Sequence, residues 1–114
     1  MKAYEYSLNN VKRRRVCMIS GKYKISMQMP DRVEKGIVTF NEFDGKLSGT
    51  LEAGNIFSRF SGGRTDGNKF EFTGVIRKLI FKIQFTARGE VRGNTLTAVA
   101  ETKHGNFNIT GTRI

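Results

Sequence analysis

The sequence predicts an all-β chain: an eight-stranded antiparallel up-and-down (meander) barrel over residues 21–114, preceded by a short basic extension, residues 1–20. Three observations predict it. From Gly21 onward, apolar and polar residues alternate in short runs, the period of a half-buried strand. Turn dipeptides separate the runs at intervals of about 12 residues, a spacing typical of sandwiches and barrels. A triplet of one apolar, one hydroxyl and one small residue recurs six times, once per strand.

The strands are expected over 22–29, 36–43, 46–52, 55–61, 69–76, 79–90, 95–102 and 106–113. The first turns Tyr23, Ile25 and Met27 to one face and Lys22 and Lys24 to the other. In the second, Val38 and Phe40 share the inward face. Asp44-Gly45 is a strong hairpin signal leading into the third strand, with Leu47 and Leu51 inward. Gly54-Asn55 precedes the fourth strand (Ile56, Phe60), and Gly67-Asn68 the fifth (Phe70, Phe72, Ile76). The sixth and longest carries Leu79, Phe81, Ile83 and Phe85. Gly93-Asn94 leads into the seventh (Leu96, Ala98, Ala100) and Gly105-Asn106 into the eighth (Phe107, Ile109). Glycine and asparagine tolerate the positive φ that tight hairpins require.

The triplets are Leu47-Ser48-Gly49, Phe60-Ser61-Gly62, Phe72-Thr73-Gly74, Phe85-Thr86-Ala87, Leu96-Thr97-Ala98 and Ile109-Thr110-Gly111, with hydroxyls 13, 12, 13, 11 and 13 residues apart. The midpoint between successive hydroxyls falls close to a turn. Hairpin pairing therefore brings neighbouring hydroxyls together across the ladder, where each such pair contributes roughly 0.2–1 kcal/mol. Barrel shear keeps them from all lying at one level. By the period of two, the small residue of each triplet points inward with the apolar one. An open sheet would leave two exposed edges. Pairing the last strand with the first removes them.

A chain of 114 residues holds one domain, and 38% hydrophobic content is enough for a core. The single cysteine, Cys17, excludes an internal disulfide. With no apolar run of membrane length and no apolar stretch at Met1–Glu5, a reducing cytoplasm is the expected location. The net charge is +10, and the first 24 residues hold seven cations (Lys2, Lys12, Arg13, Arg14, Arg15, Lys22, Lys24) against Glu5 alone.

The segments Gly21-Lys22-Tyr23, Gly36-Ile37-Val38-Thr39-Phe40, Gly45-Lys46-Leu47-Ser48-Gly49, Gly67-Asn68-Lys69-Phe70-Glu71-Phe72-Thr73-Gly74 and Ile109-Thr110-Gly111-Thr112-Arg113 resemble small bacterial calycin-type barrels, lipocalin- and avidin-like in shape. The resemblance covers residues 21–114. It implies a barrel mouth that can hold a small apolar ligand. Lipocalins usually carry Gly-x-Trp near the first strand, where this chain has Gly21-x-Tyr23. The chain has no tryptophan, so the biotin site of avidin-like proteins is not implied.

The expected function is non-enzymatic binding of a small apolar ligand or a protein partner, a second copy included, without a cofactor. Tyr23, Phe40, Phe60, Phe72, Phe81 and Phe85 are the candidate interior ligand residues, although the short strands and large inward aromatics favour simple core filling of an eight-stranded barrel. The alternative is polyanion or nucleic-acid binding through Lys12, Arg13, Arg14 and Arg15. Against it, no nucleic-acid motif is present and only Phe43 and Phe57 are expected to face outward. His104 lies in a turn, Cys17 has no partner for catalysis, and Glu42 takes an inward slot at a strand end where it is expected to reach solvent. No carboxylate pair is spaced for acid–base chemistry. Residues 1–20 are readable as a helix, an added strand or a tail.

Overall fold

The computed structural model describes residues 19–29, 32–54, 56–78 and 81–114, the side chains of residues 78 and 81 excepted. The readings for Lys12, Arg13, Arg14 and Arg15, and for a helix or added strand before residue 19, lie outside the described residues. So do Leu79 and the side chain of Phe81.

Alternating runs fold into eight strands: β1 (Gly21–Gln28), β2 (Val33–Phe43), β3 (Lys46–Ala53), β4 (Ile56–Asp66), β5 (Lys69–Lys78), β6 (Phe81–Arg92), β7 (Thr95–Thr102) and β8 (Gly105–Arg113). They follow one another round a closed antiparallel barrel, and β1 pairs with β8 from Tyr23↔Arg113 to Gln28↔Asn108. No helix occurs among the described residues. Asp44 (φ 55°) and Gly45 (φ 77°) both adopt the left-handed conformation, as a two-residue hairpin turn between right-twisted strands demands.

The inward face is that of the alternation. Tyr23, Ile25, Met27, Val38, Phe40, Leu47, Leu51, Phe60, Phe70, Phe72, Phe85 and Leu96 are buried in one core, while Phe43 and Phe57 are exposed. Ala53, Ala87 and Val91 extend the buried set along the same period.

One strand breaks the period. In β4, Phe60 pairs with Gly49 and Gly63 with Leu47, so β4 spends one extra residue and forms a bulge at Ser61-Gly62. Gly62 has φ +77° and is exposed, whereas Gly63 is buried. The expectation that Gly62 points inward is thus corrected. An inserted residue exchanges the two faces downstream of it, and this lets β4 run on to Asp66. The hydroxyl pairing is met in part. Thr73 and Thr86 are ladder partners with Oγ1 atoms 3.2 Å apart, and Thr97 faces Thr110. Thr86 faces Glu101, however, because barrel closure staggers successive strands, and Ser48 and Ser61 fall at the β3–β4 bulge, where neither has a ladder partner across that seam.

The small residues of the motif make room for rings. A Cβ placed on Gly49 would collide with the Thr39 carbonyl oxygen and lie 2.9 Å from Phe60 Cζ. Gly49→Ala is expected to destabilise by about 3 kcal/mol, since a backbone atom must shift to admit the methyl. An unchanged urea midpoint would show that the Thr39 carbonyl and Phe60 do not crowd Gly49.

Candidate ligand cavity

The two ends of the barrel differ. β1 begins and β8 finishes at one end, together with the turns at 44–45, 67–68 and 93–94. That end is closed. Ile19, just ahead of β1, is fully buried there, and the Tyr23 hydroxyl donates to the Ile19 carbonyl at 2.6 Å. Burial raises the Tyr23 pKa above its ordinary value; Arg113 opposes the shift and Glu42 adds to it. The Arg113 guanidinium stands 4.9 Å from the Tyr23 ring centroid and donates to the Ser20 carbonyl at 2.6 Å. The Glu42 amide donates to Ser20 Oγ at 2.8 Å. Ile19 and Ser20, on the extension side of the expected boundary at residue 21, therefore pack as part of the barrel. The Glu42 carboxylate does not simply reach solvent: Oε2 accepts from the Thr65 hydroxyl at 2.5 Å, and Oε1 is buried with no hydrogen-bond partner among the described residues. Backbone bonds from Thr65, Val91 and Arg113 to the carbonyls of Gly45, Asn68 and Asn94 tie each turn of this rim to a following strand.

At the other end lie Met29 and Arg32, Gly54, the end of β5, the start of β6 and the turn at 103–104. A cavity of about 100 Å³ opens there. Its floor is aromatic. Phe40 sits among Tyr23, Phe60, Phe70 and Phe72, with ring centroids 5.0–5.9 Å away. Phe72 stacks on Phe60 at 3.9 Å and meets Phe85 edge-on at 5.9 Å, a geometry that suits ring quadrupoles. Half-buried Ile76, Ile83, Phe107 and Met29 form the upper wall. Arg32 and Thr102 are the polar residues in the lining, and Arg32 Nε donates to Glu34 at 2.8 Å.

Of the six aromatic residues expected to bind a ligand, the cavity is lined by Phe40, Phe72 and Phe85. Tyr23 and Phe60 are buried but lie outside it, Tyr23 because the closed end is filled and Phe60 because Phe72 stacks in front of it. The Phe81 side chain is not among those described. Ile76, Ile83 and Phe107 line the mouth, although the alternation marked them only as inward-facing. Nothing in a period of two says which end of a barrel is open. Arg32 left no signal because it lies in a connection between strands. Among the described residues, no group of three His, Cys, Asp or Glu side chains is placed to hold a metal ion.

No protein-family model matches the chain, and no curated protein matches it. Solved structures do. A redesigned β-barrel superposes with a TM-score of 0.66 at 11% identity, over 89% of this chain and 96% of that one. The redesigned β-barrel mFAP1, bound to DFHBI, superposes with a TM-score of 0.67 at 11% identity, over 89% of this chain and 99% of that one. At this identity the likeness is one of fold: an eight-stranded antiparallel barrel.

Proposed function

We propose that this protein is a non-catalytic binding barrel that takes the apolar end of a small ligand through its open mouth. The observation that carries the reading is the asymmetry of the barrel. Ile19 and the polar cluster around Ser20 close one end, and an apolar cavity remains at the other. A cavity of 100 Å³ is well below the roughly 300–1,000 Å³ of sites that enclose a drug-sized ligand, and somewhat smaller than the ~150 Å³ cavity known to admit benzene. It suits a group of about that size, with the rest of the molecule projecting past Ile76, Ile83 and Phe107. Met27 and Met29 supply adaptable walls. The barrel mFAP1, which shares this fold, is bound to DFHBI, which supports the reading by analogy.

Benzene, toluene and short n-alkanols are the probes of choice, read by methyl NMR. The Ile76, Ile83 and Met27 methyl resonances are expected to shift saturably, with a dissociation constant near or below about 1 mM, and Ile83→Trp should abolish the shifts by filling the mouth. Shifts that never saturate, or that survive Ile83→Trp, would remove the cavity from the function.

A further inference from the structure

In a sheared barrel a strand end can outrun its neighbour's ladder, and the start of β6 does so on the β7 side. All of its residues from Phe81 to Glu90 pair with β5, from Phe81↔Lys78 to Glu90↔Lys69. On the other side only Thr86 to Arg92 pair with β7, so among the described residues Phe81–Phe85 have no ladder partner there. The first part of β6 thus projects beyond the last pair with β7 and leaves a sheet edge. Edge strands are ready templates for another chain.

The register says which backbone groups are free. The Thr73 and Thr86 hydroxyls approach to 3.2 Å, the close side-chain contact of a non-hydrogen-bonded pair. The Thr86 N–H and C=O therefore turn toward β7. Those of Gln84 and Lys82, two and four residues earlier, point the same way, where β7 offers them no partner. A groove of about 350 Å³ runs along this edge. Ile83, Phe85 and Thr102 line both the groove and the apolar cavity, so the groove opens sideways into the barrel mouth.

The groove is cationic. Lys82 and Lys103 line it and form no ion pair among the described residues, and Arg77 stands directly opposite Lys82 across the β5–β6 ladder. Like charges placed opposite each other destabilise a sheet. The carboxylate in the groove, Glu101, is bonded to Arg88. A second copy of the chain pairing here about a two-fold axis would bring these cations together, which argues for a partner of opposite charge.

We propose that the free edge of β6 at Lys82 and Gln84 accepts an extended segment of a partner protein in which acidic and apolar residues alternate. The segment adds as a strand. Its backbone pairs with Lys82 and Gln84, its acidic side chains meet Lys82 and Lys103, and its apolar side chains turn into the mouth beside Ile83 and Phe85. Main-chain pairing supplies affinity, and the alternation supplies selectivity. The proposal stands independently of the small-ligand reading, because the edge and its cations remain whether or not the cavity binds benzene.

The test is fluorescence anisotropy with a labelled eight-residue peptide alternating glutamate and valine, on the full chain, with amide hydrogen exchange as a second readout. Saturable binding is expected, together with slowed exchange at Lys82 and Gln84. Lys82→Glu combined with Lys103→Glu should weaken it by about tenfold or more, since both cations face the added strand. Gln84→Pro, which removes an edge donor, should abolish it while the benzene-induced shifts persist. Equal affinity for a lysine–valine peptide, or unchanged exchange at Lys82 and Gln84, would overturn the proposal. So would protection of the same amides by self-association in the absence of peptide, or by an oligonucleotide that displaces the peptide.

Discussion

Phe72→Ala is expected to lower the unfolding free energy by about 3–5 kcal/mol, the range for a large aromatic truncated in a packed core. Phe72 is where the aromatic floor is held together: it stacks on Phe60 and also meets Phe40, Phe70 and Phe85. Its removal strips ring contacts from four neighbours and enlarges a cavity that the barrel cannot collapse, because strand spacing is set by the ladders. Thr73→Ala, one residue along and on the outer wall, is the control. It loses one exposed hydroxyl pair with Thr86 and should cost under about 1 kcal/mol. Urea denaturation of the two variants decides the matter. The reverse order would mean that the faces of β5 are assigned the wrong way round, since a one-residue slip turns every side chain over.

The second large effect concerns the closed end. A chain deleted through residue 20 should be less stable than one deleted through residue 18 by about 3 kcal/mol or more. Both deletions remove the same cations, Lys2, Lys12, Arg13, Arg14 and Arg15, and the same acid, Glu5. Any difference between them therefore isolates Ile19 and Ser20. Ile19 is fully buried, and its carbonyl accepts the bond from the buried Tyr23 hydroxyl. Without that carbonyl the hydroxyl is left unsatisfied, and the Ser20 partners of Arg113 and Glu42 go with it. Equal thermal midpoints for the two deletions would show that the barrel closes without the plug.

The plug also shows where reading by alternation ends. Ile19 belongs to no alternating run. It is buried because β1 and β8 meet at that end and leave a hole that the preceding chain fills. Gly62 shows the same limit within a strand. Its triplet Phe60-Ser61-Gly62 looks like the other five, yet a single bulge puts Gly62 outside and Gly63 inside. A bulge is chosen by the register against two neighbouring strands, which the local pattern does not contain.

Strand number, antiparallel order and the inward faces of most strands are legible in the residues alone. Those follow from a period of two and from turns that only a few residue types can make, both local properties. That one end is plugged and the other open emerges only when the barrel closes. So do the lining of the cavity by Phe40, Phe72 and Phe85 but not Tyr23 or Phe60, and the run of β6 beyond its pairing with β7. These depend on how far each strand is staggered past the next as the barrel closes, and stagger is a property of all eight strands at once.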